Sequence, residues 1–448
     1  MAHLSEHPTV KRFQERMNAA NAEASRQKLD ARWLRELCID AGADDVGFVE
    51  VDRPELSDQR AEIRSAFPHT KTLVSFVCRM NREDVRNPAR SIANLEFHRT
   101  GDEVNEIARK IVAMLEQRGI RALNPAMGFP MEMDRFGKGK AWVISHKPVA
   151  VAAGLGHMGI HRNVIHPKFG NFILLGTILM DAEVTTYHSR LDYNPCLECK
   201  LCVAACPVGA IGADGHFNFS ACYTHNYREF MGGFTDWVET ITESKSAWAY
   251  RNKVSDSESA SMWQSLSFGA NYKSAYCMAV CPAGEDVIGP FLTDRKGYLE
   301  DVVKPLQDKE ETVYVIRDSD AENYVTRHFP NKTTKRIGNG LRTRSIKAFL
   351  TGLRLTFQRN QSEGLDATYH FTFTGEEESK ATVTIRNKTI DVRDGHIGAP
   401  NIRVRADSRT WLGVVAKERS LVWALIRRRI RIKGPPKLLV AFGKCFPA

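Results

Sequence analysis

Cysteine spacing is the strongest chemical signal in this chain. Seven of its ten cysteines lie between residues 196 and 281, and the first four form the pattern C-x2-C-x2-C-x3-C-P, which ends at Pro207. This is the bacterial ferredoxin spacing, in which a tight loop aims three thiolates at one cube of iron and sulfide and the cysteine before proline serves a second cube. Zinc motifs seldom pack four cysteines so closely. The pattern therefore predicts two iron–sulfur clusters in a reducing compartment.

In this arrangement each cluster takes one cysteine ligand from the other motif, so a second cysteine motif is required. It is SAYCMAVCP at residues 274–282. The expected ligands of the first cluster are Cys196, Cys199, Cys202 and Cys281. The second cluster would use Cys206 and Cys277, with Cys222 as a candidate third ligand. Ser274 stands three residues before Cys277, where a cysteine would be normal. Three alternatives stay open: Ser274 binds iron as an alkoxide, another group does, or the cluster is [3Fe-4S].

Glycine is dense in residues 148–176, just before the cysteines. Gly154, Gly156 and Gly159 have the spacing of a dinucleotide-binding loop, but the preceding strand and the later carboxylate of that motif do not stand in their usual places. Close approach of the backbone to a flat cofactor explains the glycines better. The predicted cofactor-binding residues are Gly154, Gly156, His157, Met158, Gly159 and Gly176.

Alternating strands and helices must position these residues. Apolar runs predict strands, and apolar residues at helical spacing predict helices. The predicted strands are 45–51, 72–80, 119–123, 141–145 and 172–180, and the predicted helices are 31–41 and 102–118. This order favours an α/β layer fold with helices on both faces of a sheet.

A different pattern begins after residue 300. Residues 304–336 are charged and carry no motif, and a helix is predicted at 345–357. Alternation with period two then predicts several antiparallel strands, with helices after Ser408. The predicted strands lie at 367–374, 382–386, 389–392 and 401–405. These elements indicate a separate α+β domain.

Composition sets the broad class of the protein. Its 448 residues are 43% apolar and 26% charged, the balance of a globular protein with two or three domains. No stretch approaches the roughly 18 apolar residues of a membrane span, and the start lacks a signal pattern, so we expect a cytoplasmic protein. The net charge of +10 comes from residues 401–448, which hold 12 Lys and Arg against 2 Asp and Glu. We expect a solvated basic face there, or a surface for an acidic partner.

The order of the motifs resembles the corrinoid-dependent iron–sulfur reductases, which include epoxyqueuosine reductases and reductive dehalogenases. The resemblance covers about residues 35–295, through SHKPVAVAAGLGHMGIHRN, FGNFILLGTILMD, the four-cysteine run, ACYTHNY around Cys222 and the final C-x3-C-P. It implies a base-off cobalamin held against an α/β domain of the nitroreductase-like or B12-processing kind. It also implies two [4Fe-4S] clusters that feed electrons to the cobalt, with Cys222 as a ligand of the second.

The sequence departs from that family in three places. Ser145 takes the position of an acidic proton donor in epoxyqueuosine reductases, which argues against reduction of a tRNA epoxide, and Ser274 replaces a cluster cysteine. The 54 residues between Cys222 and Cys277 are a longer insertion, whose aromatic residues would either roof a substrate pocket or form ordinary core. These residues are Trp237, Trp248, Tyr250, Trp263 and Phe268. Because corrinoid reduction needs an acid near the substrate, the candidate catalytic residues are Ser145, His157, Tyr223 and Tyr227.

Residues from about 340 onwards resemble the SCP2-type sterol-carrier fold, through GLDATYHFTFTG, VTIRNKTIDVRDG and DSRTWLGVVAKERSLVWALIRRRIRIKGPPKLLVAF. That resemblance implies an apolar tunnel for lipids. The predicted domains are a corrinoid-binding domain at 1–184, a ferredoxin-like domain with the aromatic insertion at 185–300, and a linker plus SCP2-like domain at 301–448.

The motifs and resemblances together predict a cobalamin-dependent iron–sulfur reductase that removes a halide or oxygen substituent from a hydrophobic organic substrate. Electrons would come from an external low-potential donor such as a ferredoxin, a flavodoxin or a reductase. A hydrophobic small molecule or lipid is expected as a partner, and nucleic acid is not. The alternatives are a ferredoxin-like electron carrier, a corrinoid-reducing partner protein and a flavin-dependent reductase.

Overall fold

Four antiparallel strands form the sheet of the N-terminal part of the protein. The computed structural model describes residues 6–20, 28–135, 140–341, 343–416 and 418–447. The strands of this part are β1 (Asp45–Glu50), β2 (Thr72–Arg79), β3 (Ala122–Leu123), β4 (His157–Met158), β5 (Val164–Ile165) and β6 (Ile173–Met180). The sheet has the order β1-β2-β6-β3, and β4 pairs with β5 as a separate antiparallel ladder.

Helices cover both faces of this sheet, as the sequence predicts. The helices of this part are α1 (Pro8–Ala20), α2 (Ala31–Asp40), α3 (Arg60–Ala66), α4 (Arg82–Arg86), α5 (Arg90–Glu116) and α6 (His146–Ala152). Because side chains alternate along a strand, neighbouring residues of β2 enter different cores. Val74 packs with Ile107 and Ile111 of α5, whereas Leu73 packs with Val149 of α6 on the opposite face.

The sheet refines the fold class predicted for this part, and one predicted strand needs correction. Every strand pair in the sheet is antiparallel, unlike the parallel sheets typical of the α/β class. Residues 141–145, predicted as a strand, have no regular structure, because Ala141 and Ile144 are buried by packing rather than by pairing in the sheet. A 3₁₀ turn lies at Met133–Arg135, and residues 136–139 lie outside the described part.

The cysteines lie in a helical unit that follows β6. Its helices are α7 (Leu201–Ala205), α8 (Phe219–Asn226), α9 (Gly232–Thr242), α10 (Ala247–Arg251), α11 (Asp256–Phe268), α12 (Tyr276–Ala279), α13 (Gly289–Thr293), α14 (Arg295–Tyr298) and α15 (Lys304–Gln307). The charged stretch that we predicted as a linker folds onto this unit. It forms β7 (Thr312–Ile316), α16 (Asp320–His328) and β8 (Thr333–Ile337), with β7 and β8 parallel. Val313 and Val325 share one apolar core with Cys202 and Cys206, so this unit continues to about residue 337.

A five-stranded sheet forms the C-terminal domain. Its elements are α17 (Ile346–Thr356), β9 (Ala367–Thr374), β10 (Ser379–Arg386), β11 (Thr389–Asp394), β12 (Ile402–Asp407), α18 (Ser408–Val415), α19 (Leu421–Ile426), β13 (Ile430–Lys433) and α20 (Pro436–Lys444). The order is β11-β10-β9-β12-β13, and the pairs are antiparallel except β9 with β12. Tyr369, Phe371 and Phe373 alternate along β9 and pack against Trp411 and Phe442. Helices thus cover one face of this sheet. No helix among the described residues is long and apolar enough to cross a membrane.

Gly176 offers a test of the packing at the centre of the N-terminal sheet. A Cβ atom at this position would lie 2.1 Å from Cζ of Phe76, which is fully buried. We expect Gly176→Ala to lower the free energy of unfolding by about 1–3 kcal/mol, because the core must move to admit the methyl group. Chemical denaturation measures this loss. Gly128→Ala is the control, since a Cβ there meets nothing within 4 Å, and equal stability of the two variants would contradict the expectation.

Candidate iron–sulfur and reductase site

The first cysteine run and the final Cys-Pro motif line one concavity. The chain reverses at Glu198 and Lys200, which adopt left-handed backbone conformations (φ 50° and 64°), before α7 begins. The concavity is lined by Ile160, His161, Cys196, Leu197, Glu198, Cys199, Lys200, Cys202, Cys281, Pro282 and Ala283. The structure therefore brings together all four residues predicted to bind the first cluster, although Cys281 lies far along the chain from the other three.

A second group of cysteines lies next to the first. Cys206, Cys222 and Cys277 are close enough for their charges to interact, and the thiol of Cys202 in the first group also interacts with that of Cys277. The contact between α7 and α12 brings the two groups together. Among the described residues, no three His, Cys, Asp or Glu side chains are close enough to share a single metal ion. Ligands of a cluster bind different irons and need not meet at one ion.

The electrostatics of these thiols suit metal binding. Burial, followed by the neighbouring thiol of Cys206, raises the pKa of Cys277 to about 12. Burial, followed by Cys277 and Cys206, likewise raises the pKa of Cys222. Thiolates crowded in a low-dielectric interior need compensating positive charge, which iron would supply as it displaces the protons. The donor set thus fits two clusters, with Cys196, Cys199, Cys202 and Cys281 for the first and Cys206, Cys222 and Cys277 for the second.

Cys38, Cys78 and Cys445 take no part in this site. Cys38 and Cys78 are in the core of the N-terminal sheet, and Cys445 is in the core of the C-terminal domain. All three are at most 1% exposed. They serve as small core residues.

Lys147 links the glycine-rich segment to the second cysteine group. Its ammonium donates to the Arg162 carbonyl and to Oδ1 of Asn163, both at 2.8 Å, and Nδ2 of Asn163 lies 3.8 Å from Sγ of Cys277. Desolvation by the surrounding protein lowers the pKa of Lys147, which the thiols of Cys277 and Cys222 partly offset. The side chain nevertheless keeps an exposed surface. A side chain that is surrounded by protein and yet exposed to solvent lies in an open recess, and we infer such a recess around Lys147.

Aromatic side chains form a second wall close to the same cysteines. The ring of Tyr227 packs edge-to-face on Phe230 at 4.8 Å and on Tyr272 at 5.7 Å between centroids, and Phe129 packs on Phe230 at 6.0 Å. Burial, followed by the charges of Tyr272 and Cys222, raises the pKa of Tyr227 well above its usual value. Its hydroxyl has no hydrogen-bond partner among the described residues, so it is free to contact a ligand. Sequence reasoning missed Phe129, Phe230 and Tyr272, because they lie in separate segments without a motif.

The other candidate catalytic residues have local partners. The Tyr223 hydroxyl accepts a hydrogen bond from Gly232 N at 3.0 Å, and burial raises its pKa. Ser145 precedes α6, and its backbone N–H donates to Oε1 of Gln59 at 2.8 Å, while its side chain does not cap the helix. Nδ1 of His157 lies 3.2 Å from the carbonyl oxygen of Met158. The hydroxyls of Tyr227 and Ser145 thus have no hydrogen-bond partner among the described residues, and Tyr227 is the one whose charge interacts with Cys222 and Cys277.

The predicted cofactor-binding glycines are tightly packed against protein. A Cβ atom on Gly156 would lie 2.5 Å from the Ile165 carbonyl oxygen, and one on Gly154 would lie 2.5 Å from that of Ser189. A Cβ on Gly159 would lie 2.8 Å from the ring of His161. Close packing within the chain is thus one reason for glycine at each position. Binding of a cofactor by these glycines and by Met158 stays a prediction.

The five aromatic residues of the insertion that the sequence singled out form neither a continuous roof nor a core. Trp248, Trp263 and Phe268 are 75%, 58% and 71% exposed, and Trp237 donates to the Tyr250 hydroxyl at 3.0 Å. The insertion is instead held by a buried carboxylate. Glu229 forms an ion pair with Lys273, one residue before Ser274, and accepts hydrogen bonds from hydroxyl and amide groups of the insertion. These donors are Ser261, Ser265 and Asn271.

Comparisons with known proteins first define the class of the site. The family model described as a 4Fe-4S binding domain matches residues 190–212, which contain the first cysteine run. The match supports the iron–sulfur site that the spacing predicts, in the part of the chain that holds the first cysteine run.

Curated relatives then confirm the resemblance to the corrinoid-dependent iron–sulfur reductases. The chain is 32% identical to the epoxyqueuosine reductase of Cellulophaga algicola over 107 residues, covering 22% of this chain and 32% of the relative. It is 25% identical to that of Gloeobacter violaceus over 192 residues, covering 42% and 56%. The chain thus spans about a third of the first relative and just over half of the second. A solved reductive dehalogenase described as B12-dependent aligns at 18% identity with a TM-score of 0.33, covering 44% of this chain and 29% of that one.

Replacement of one cysteine tests the assignment of the first cluster. We expect Cys202→Ala to lose at least one iron per chain, because the first cluster loses a ligand and is either converted to three irons or not assembled. The measurement is iron and acid-labile sulfide in protein purified without oxygen. Cys38→Ala removes a buried thiol outside the site and should keep all its iron. Full iron content in Cys202→Ala would contradict the assignment.

Replacement of the buried carboxylate tests the role of the network around the insertion. Burial alone would raise the pKa of Glu229, but Lys273 and the hydroxyl donors outweigh it, and the net pKa is lowered. A lowered pKa stabilises the fold above the pKa of the unfolded carboxyl, about 4.3, and this contribution is lost as the pH falls through the folded value. We expect Glu229→Gln to cost about 2 kcal/mol at neutral pH, less than a fully buried pair because Lys273 is 26% exposed.

Urea denaturation at neutral and acidic pH measures this effect. The difference between wild type and Glu229→Gln should shrink in acid. Glu243→Gln is the matched control, because Glu243 is an exposed glutamate of the same insertion. A loss in the control as large as that in Glu229→Gln would argue against the network.

Proposed function

We propose that the protein is an iron–sulfur-dependent reductase that uses cobalamin to remove a halide or oxygen substituent from an apolar organic substrate. The observation that carries this proposal is the order of the sites in space. The first cysteine group lies near the surface, where Leu197 is 44% exposed. The second group adjoins the first, and Lys147 and Tyr227 lie beside the second.

This order favours electron entry at the first cluster and delivery at the recess beside the second. An external low-potential donor would dock where Leu197 and Lys200 border the first group. The arrangement also speaks against a simple electron carrier, which needs no recess with a free hydroxyl next to its inner cluster. When bound, cobalamin supplies a cobalt centre that accepts these electrons and acts on the substrate.

The residues of the recess would perform the remaining tasks. The rings of Tyr227, Phe230 and Tyr272 would bind an apolar or aromatic substrate and exclude water. The Tyr227 hydroxyl, protonated throughout the neutral range because its pKa is raised, would donate the proton that replaces the leaving group. The Lys147 ammonium would stabilise negative charge that develops on the substrate or leaving group. His157 and the glycine-rich segment would contact the corrinoid.

Reduction of a modified tRNA base is the second candidate, since the curated relatives are named epoxyqueuosine reductases. Ser145 at the expected acid position weighs against it. Incubation with tRNA from a strain that accumulates epoxyqueuosine, followed by mass spectrometry of the nucleosides, separates the two. Formation of queuosine, without halide release from chlorinated or brominated phenols, would favour the tRNA substrate.

The C-terminal domain would gather apolar molecules for the reductase, as the SCP2-type resemblance implies. Its exposed surface includes Val422, Trp423 and Ile426, each more than 60% exposed, next to Arg427 and Arg428. An apolar surface with adjacent cations suits amphiphilic ligands with an acidic end. Fatty acids are therefore the first probes for this domain.

Replacement of Tyr227 tests the proposed proton donor. We expect Tyr227→Phe to lower the rate of halide release by about 100-fold or more, because the ring stays in place while its acid is lost. The rate is measured with titanium(III) citrate as reductant and a brominated phenol as substrate. Iron and cobalt contents should not change.

Tyr223→Phe is the matched control, because Tyr223 lies on α8 and Tyr227 directly follows the end of that helix. It removes the acceptor for Gly232 N, so it should lower stability more than rate. In the wild type, the raised pKa should keep the rate free of tyrosine ionisation up to about pH 10, the ordinary value. Equal rate losses in the two variants would argue against Tyr227 as the donor.

A further inference from the structure

Ser274, at the position of the missing cysteine, has a well-defined set of neighbours. Oδ1 of Asn226 accepts three hydrogen bonds: from Ser274 N at 3.0 Å, from Ala275 N at 3.1 Å and from the Ser274 hydroxyl at 3.2 Å. Ser274 is 7% exposed and Asn226 is 9% exposed. Asn226 lies four residues after Cys222 on α8, so the two side chains project from the same face of that helix.

The two backbone donors determine which atom of the Asn226 amide faces Ser274. An amide NH₂ group could not accept from two backbone N–H groups, so the oxygen must face them. That oxygen is only an acceptor, and the Ser274 hydroxyl must therefore donate its proton to it. An alkoxide at Ser274 would place two acceptor oxygens against each other at this distance in a buried site, which costs free energy.

The proton of Ser274 is thus engaged in a bond that an iron-bound alkoxide could not make. The Ser274–Asn226 pair also holds the turn before α12, where Ala275 has a left-handed conformation (φ 55°). That turn sets the position of Cys277, two residues further on. Ser274 therefore has a complete structural role without binding iron.

We propose that Ser274 is a positioning residue and that the second cluster is a [3Fe-4S] cluster held by Cys206, Cys222 and Cys277 alone. The proposal rests on the proposed function only in assuming that the clusters are present. It does not depend on cobalamin or on the substrate. Asn163, which contacts Cys277 and Lys147, would donate to the Cys277 thiolate and reduce the charge that three sulfurs place in the interior.

Three forms of the full-length protein test the proposal: the wild type, Ser274→Ala and Ser274→Cys, each reconstituted with iron and sulfide without oxygen. The readouts are iron content, acid-labile sulfide and electron paramagnetic resonance of the oxidised protein. We expect about seven irons and a three-iron signal near one spin per chain in the wild type. Ser274→Ala should keep both values. Ser274→Cys should gain about one iron and lose the three-iron signal, because a fourth thiolate completes a cube.

The opposite pattern would overturn the proposal. If Ser274 binds iron, the wild type would hold about eight irons without the three-iron signal, and Ser274→Ala would lose an iron or acquire that signal. Thermal unfolding of the variants, followed by circular dichroism, separates cluster loss from misfolding. A wild type that takes up no iron would overturn both this inference and the proposed function. In a parallel sample reconstituted with cobalamin as well, full iron without bound cobalt would count against the cobalamin mechanism alone.

Discussion

The contact between two short helices, α7 and α12, is the constraint on which the site depends. One helix follows the first cysteine run and the other carries Cys277, and their packing lets the two motifs exchange ligands. Without that contact, Cys281 could not reach the first group, and Cys206 could not reach the second. Because the thiols are buried where thiolates are disfavoured, binding of iron and the ordering of this unit are energetically coupled.

A buried lysine in the segment after residue 300 stabilises the contact between α7 and α12 through hydrogen bonds that reach Tyr276 of α12. Nζ of Lys332 donates to Oε1 of Glu311 at 2.9 Å and to the carbonyl oxygen of Lys309 at 2.7 Å. Oε2 of Glu311 in turn accepts from the Tyr276 hydroxyl at 2.7 Å. Tyr276 precedes Cys277, so a stretch whose sequence carries no motif supports a cluster ligand through a charged hydrogen-bond network.

The C-terminal domain is attached to the same part of the molecule. Oε1 of Gln358 accepts from Asp320 N at 3.0 Å and from Nδ2 of Asn218 at 3.5 Å. Asn218 caps the helix that carries Cys222, since its Oδ1 accepts from Ala221 N at 3.0 Å. Arg359 adds an ion pair with Asp214. These bonds place the C-terminal domain against the helix of the second cysteine group.

The sequence by itself determined the iron–sulfur chemistry, the family resemblance and most of the secondary structure. Local rules suffice for these features, because ligand spacing and hydrophobic periodicity depend on residues close together in the chain. Only the tertiary structure decided that the supposed linker belongs to the cluster unit, that Trp248, Trp263 and Phe268 face solvent, and that Tyr227 joins Phe230 and Tyr272 beside the second cysteine group. It also paired Ser274 with Asn226, a choice that the sequence left open. Each of these depends on contacts between segments distant in sequence, where packing rather than local pattern selects the partner.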